Sequence, residues 1–156
     1  MVPGAELIDA ITSCYDHDGM DETIVICRSN KRANLYNNGI RAQILWREDE
    51  LNTGDMLMIA KNNYYWTEQY KEMDFIANGE IAVVRRVRRT REIYGFRFAE
   101  VTLRFPDQND FELDANLLLD TLHSDAPALS KEDSDRLFYT IPVSYTHLTL
   151  PTICSV

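Results

Sequence analysis

The chain contains no Gly-Lys-Ser or Gly-Lys-Thr step. It therefore offers no loop in which backbone N–H groups, a lysine and a hydroxyl cradle nucleoside phosphates and magnesium. Asp21-Glu22 precedes an apolar run instead of following one, which marks the pair as a solvated loop and not a magnesium site. Cysteine is scarce. Cys14, Cys27 and Cys154 are an odd set with no Cys-x-x-Cys spacing, so neither a disulfide framework nor a zinc cage is encoded, and the three read as ordinary thiols. His17, His123 and His147 are scattered among Asp, Ser and Thr, and no nucleophile, base and orienter grouping emerges. No run approaches the roughly 20 apolar residues of a membrane span, and residues 1–10 lack a basic start followed by an apolar stretch. The expectation is a chain with no membrane partner and a cytoplasmic location. Positive charge is the minority: 16 Lys and Arg stand against 25 Asp and Glu, a net charge of -9. Overall charge thus opposes contact with a polyanion, and any such contact must be local.

What is present is enough apolar material, 45% of 156 residues, for one domain with a core or a small domain plus part of another. Pro3 suits a first helical turn, and Leu7, Ile8, Ile11 and Tyr15 recur at helical spacing until Asp18-Gly19, predicting a helix over about 5–16. Residues 23–27, Thr-Ile-Val-Ile-Cys, form a continuous β-branched run of the kind covered on both faces in a parallel sheet. A polar turn follows, then Ala33, Tyr36, Ile40 and Ile44 share a helix face. Helix, strand, turn and helix make half of an α/β unit.

From Leu51 the period becomes alternating, with Gly54-Asp55 at the boundary. Residues 56–60 and 81–87 read as strands, and Asn78-Gly79 supplies the positive φ of a tight turn before the second. Between them lies a wet, aromatic connection containing Tyr64, Tyr65, Trp66 and Tyr70. Tyr94, Phe96 and Phe98 share one parity and Val101, Leu103 and Phe105 the other, which predicts a bulge near Ala99-Glu100 and a sheet that turns corners. Residues 106–110 turn into a fourth strand over 111–119, and Ser130 with Asp133 caps a later helix. Residues 143–156 fit nothing before them. They resemble translated sequencing-adapter read-through, a non-native tail to be set aside from fold reasoning, and the natural protein is expected to continue differently after about Ile141.

Three groups are candidate contacts for nucleic acid. Arg28, Ser29, Asn30, Lys31 and Arg32 place donors after a strand and at a helix start, where phosphates are suited; capping by Ser29 or Asn30 with solvated cations is the competing reading. Arg85, Arg86, Arg88, Arg89 and Arg91 concentrate five positive charges, with Arg85, Arg89 and Arg91 on one face of a regular strand. They either meet a phosphate backbone or pair with Glu92, Glu100 and other carboxylates. Lys61, Asn62, Asn63, Tyr64 and Trp66 offer donors and stacking faces for single-stranded bases, or else cover the end of a barrel.

Two of these patterns carry a resemblance. Residues 24–33, Ile-Val-Ile-Cys-Arg-Ser-Asn-Lys-Arg-Ala, resemble the strand, loop and helix that open the second RecA-like domain of superfamily 1 DNA helicases. The run from Gly54-Asp55 through Asn62-Asn63-Tyr64 to Asn78-Gly79-Glu80-Ile81 resembles the SH3-like barrel inserted in that domain in RecD-like and UvrD-like members. Ala82 stands where the family often has a second glycine, and the downstream segments that carry its ATP-sensing arginine are missing.

The resemblance implies an α+β chain. Residues 1–50 would be a partial RecA-like α/β unit, 51–122 an SH3-like β-barrel, 123–142 a helical extension and 143–156 the foreign tail. It implies a fragment of an ATP-dependent, RecD-like (exodeoxyribonuclease V alpha-like) helicase that guides single-stranded DNA without hydrolysing ATP. Catalytic residues and any metal are then absent from this chain. ATP and magnesium belong to the parent, and the missing RecA-like domain is a partner. The uncovered α/β half predicts self-association. The alternative is a free-standing small barrel that binds a peptide or protein through its tyrosines and Trp66, without DNA. A complete small enzyme is disfavoured by the lack of any convergent acid, base or metal set.

Overall fold

The computed structural model describes residues 4–61, 79–93, 95–122, 130–140 and 148–153. The chain divides into two compact units, one over Met1–Asp49 and one over Glu50–Cys154. It is a mixed helix and sheet protein.

The first unit is helical. A single 3-10 turn, Gly4–Glu6, leads into α1, Leu7–His17, whose spacing of apolar residues leaves Ile11 buried. Helix α2, Asn30–Gln43, starts where Ser29, in an extended conformation, accepts a hydrogen bond from the Arg32 N–H at 3.4 Å. Ile40 is fully buried on it. Arg41 is also buried, and it donates from its guanidinium to the Asp49 carbonyl at 2.7 Å, fixing the chain after the helix. The run between the helices departs from expectation. Residues 23–27 join no sheet among the described residues, and Ile24 and Ile26 are 74% and 89% exposed. A strand of a parallel sheet needs neighbours for its N–H and C=O groups, and among the described residues this unit contains none.

The second unit is a curled antiparallel sheet of four strands: β1, Met56–Lys61; β2, Ile81–Ile93; β3, Phe96–Phe105; and β4, Phe111–Leu118. Glycine makes its turns. Gly54 (φ 90°) and Gly79 (φ 87°) occupy the left-handed region at the two positions where the sequence demands it. The buried Asp55 carboxylate accepts the Asn52 N–H at 2.8 Å and holds the first turn, while Gly79 N–H donates to the Ile59 carbonyl at 2.8 Å. Alternation then fills the interior: Leu57 and Ile59, Ala82 and Val84, Ala99 through Phe105 by twos, and Leu113, Ala115 and Leu117 form one apolar cluster with Leu51, Leu119 and Leu122.

The parity switch in β3 is real, but no bulge at Ala99-Glu100 resolves it. Pairing of β3 with β4 runs without interruption from Phe98 opposite Leu118 to Phe105 opposite Phe111. Phe96, Phe98 and Leu118 instead occupy the outer face and are buried there. Arg136 of helix α3, Lys131–Thr140, stacks 4.9 Å over the Phe96 ring. Both faces of this end of the sheet are covered, so both parities are apolar. The bulges lie in β2, where register shifts between Val84 and Arg86 and between Val87 and Arg89 leave Arg85 and Arg88 as extra residues.

Helix α3 begins as its sequence predicts, with Ser130 Oγ accepting the Asp133 N–H at 3.1 Å. A fifth strand, β5, Leu148–Ile153, pairs antiparallel with β1 and parallel with β4 and closes the barrel. It comes from the segment read as foreign, so closure draws on residues beyond the expected barrel end at 122. Without β5 the edges of β1 and β4 would present unpaired N–H and C=O groups, which an extended segment satisfies through its backbone.

Candidate nucleic-acid interface

The first cluster is built by the start of α2. Ser29 occupies the cap, so Arg28 precedes it and Lys31 and Arg32 occupy the first turn, all exposed. None of these three cations has a carboxylate partner among the described residues. They sit where the aligned peptide dipoles leave partial positive charge, and no acidic residue occupies the first turn to offset it. Capping by Ser29 and solvated basic side chains therefore coexist here. Asn30 is the first helical residue and leaves the capping role to Ser29.

The second cluster is different. Regular alternation would put Arg85, Arg89 and Arg91 on one face and Arg86 and Arg88 on the other. The two register shifts in β2 overturn this division. All five arginines are exposed. Arg85 pairs with Glu112 at 3.2 Å, Arg88 with Asp114 at 3.0 Å, and Arg89 and Arg91 share Glu100 at 2.9 and 2.8 Å. Arg88 also reaches the Thr102 hydroxyl, which itself donates to Asp114 at 2.7 Å. Since Thr102 faces Asp114 and Arg104 faces Glu112 across β3 and β4, these groups form one lattice of alternating sign on the outer face. Arg104 extends it by pairing with Asp110 at 2.8 Å. Arg86, opposite Thr102, is the exception: it has no carboxylate partner among the described residues.

Glu100 was legible as a partner from sequence, whereas Glu92 pairs with no arginine among the described residues. Glu112 and Asp114 were missed. Their spacing of two on a strand whose other parity is apolar was the available signal, because it places both on the outer face beside the arginines.

Arg97 is a structural clamp that sequence reading also missed. Its guanidinium grips Glu50 through two hydrogen bonds of 2.9 and 3.0 Å and Asp120 through a third of 3.1 Å, and its backbone N–H donates to Asp120 as well. The segment before β1, the start of β3 and the turn after β4 are thereby tied together. The hydrogen bonds that Arg97 donates to Glu50 and then to Asp120 push its pKa further above its ordinary value, so it is charged at every working pH.

The third candidate group falls largely outside the described residues. Lys61 ends β1, while Asn62, Asn63, Tyr64 and Trp66 lie in residues 62–78, which are not described. The sequence has no Gly-Lys-Ser or Gly-Lys-Thr, and no group of three or more His, Cys, Asp or Glu among the described residues is placed to hold a metal. Among the same residues no helix is long and apolar enough to cross a membrane.

No protein-family model, curated protein or solved structure matches this chain.

Proposed function

We propose that this chain is a single-strand-holding part of a RecD-like superfamily 1 DNA helicase. The first unit corresponds to part of the second RecA-like domain and the barrel to the SH3-like insertion. Its role is to hold and steer DNA, while ATP and magnesium are bound and turned over by other parts of the parent. The observation that carries this reading is the set Arg28, Lys31 and Arg32, exposed beside a helix start and without a carboxylate partner among the described residues, in a chain whose net charge is -9. Solvated cations that face no internal acid release counterions on meeting a phosphate backbone, and paired ones do so only by giving up their carboxylates. Arg86 adds one such cation on the barrel.

The test is competition for a labelled single strand at low and moderate salt. Arg28→Ala and Arg86→Ala are expected to weaken binding severalfold, and Arg85→Ala, whose partner is Glu112, much less. Equal losses in all three variants, or no binding at low salt, would refute the reading.

A second reading keeps the barrel as a peptide-binding or protein-binding module without DNA. It is favoured by the pairing of Arg85, Arg88, Arg89 and Arg91 with carboxylates on their own face. Salt-insensitive capture of peptide, with no competition by single strands, would support it.

A further inference from the structure

Residues 23–27 have every property of a β-strand except a partner. Thr23, Val25 and Cys27 are half-buried while Ile24 and Ile26 are 74% and 89% exposed, the alternation of an extended chain with one face against protein and one against water. Residues 24–27 make no hydrogen bond among the described residues, and Thr23 bonds only through its hydroxyl, to the Gly19 carbonyl at 2.9 Å. A row of unmade backbone donors and acceptors beside two exposed isoleucines is a template for another strand.

The flanking charges say which strand fits. Glu22 and Arg28 are both exposed, have no ion-pair partner among the described residues, and share the parity of Ile24 and Ile26. We propose that this segment pairs antiparallel with the same segment of a second copy of the chain, centred on Val25. In that register Glu22 faces the partner's Arg28, Ile24 faces the partner's Ile26, and two-fold symmetry repeats both contacts. One face of the two-stranded ribbon then reads acid with base, isoleucine with isoleucine, isoleucine with isoleucine, and base with acid. Directly opposed pairs of this kind stabilise a ladder and like charges destabilise it. In-register parallel pairing sets Glu22 against Glu22 and Arg28 against Arg28, and is disfavoured for that reason. A single short ribbon is a small interface, so the dimer is a weak, concentration-dependent one.

This proposal does not rest on a role in DNA binding, though it engages Arg28, so the test is made without nucleic acid. Sedimentation velocity over a concentration series is run on the whole chain and on three variants, with circular dichroism to verify folding; both altered positions are exposed. Glu22→Arg and Arg28→Glu each place like charges at two symmetric positions and are expected to weaken dimerisation about tenfold. The double variant Glu22→Arg/Arg28→Glu restores opposite charges in every pair and is expected to restore the dimer. A monomer at all concentrations would overturn the proposal, as would self-association that the single variants leave unchanged or that the double variant fails to recover.

Discussion

Replacing Glu100 by Gln should strengthen the hold of this chain on a single strand, although the change is made to a residue that touches no ligand on either reading. The Glu100 carboxylate, whose side chain is 26% exposed, accepts from Arg89 at 2.9 Å and from Arg91 at 2.8 Å, so it neutralises two of the five arginines of β2. With Glu100 in place, Arg86 is the one cation of the five with no carboxylate partner among the described residues. With glutamine there, Arg89 and Arg91 join it. Each cation engaged on a single strand contributes about -0.7 to the slope of log K against log salt, so two more steepen the slope by about 1.4. Lowering salt fourfold should then raise the affinity of Glu100→Gln by about sevenfold more than that of the wild type. The loss of two solvent-exposed ion pairs costs stability about 0.4–2 kcal/mol in total, which the core of the barrel tolerates. Fluorescence anisotropy with a labelled oligothymidylate, read at two salt concentrations, measures the difference. A folded Glu100→Gln variant that binds as the wild type does, or more weakly, would refute the view that internal carboxylates limit the arginine face.

Other consequences concern the scaffold. Leu103 is fully buried in the barrel cluster, so Leu103→Ala should cost about 2–5 kcal/mol, seen as a lower midpoint in urea; a cost below about 1 kcal/mol would mean that the cluster does not stabilise the unit. Asp55→Ala leaves the Asn52 N–H without its acceptor in a half-buried turn and should cost about 1–3 kcal/mol by the same assay. Arg97→Lys keeps the charge but loses the planar fork that grips Glu50 and Asp120 together, so it should destabilise by about 1 kcal/mol; a double-mutant cycle with Glu50→Gln that shows no coupling would contradict the clamp.

The barrel was readable because each of its signals is local. Alternation fixes which residues of β1, β3 and β4 face inward, and Gly54 and Gly79 appear where the chain must take a positive φ. Helix α2 and α3 were readable for the same reason, since the caps Ser29 and Ser130 act within three residues of themselves. What escaped depends on contacts between distant residues. The pairing of Arg85 with Glu112 and of Arg88 with Asp114 spans three strands and requires the two bulges of β2, which no run of arginines announces. Phe96 and Phe98 looked like a parity error because sequence alternation assumes one wet face, and here the outer face is covered too. Residues 23–27 carry a strong strand signal, but a strand forms only where neighbours exist, and the described residues of the first unit supply none. The candidate site was half legible. Arg28, Lys31 and Arg32 are legible as basic residues around a helix cap, and Glu100 as a partner for the arginine-rich strand, whereas the roles of Glu112 and Asp114 emerge only from cross-strand geometry.

The most direct test of the account is the salt dependence of single-strand binding by the whole chain compared with the triple variant Arg28→Ala/Lys31→Ala/Arg32→Ala. Three engaged cations predict a log–log slope about 2 units steeper in the wild type than in the variant, with binding by the variant nearly lost at moderate salt. Identical slopes, or a wild type that fails to bind at low salt, would contradict it.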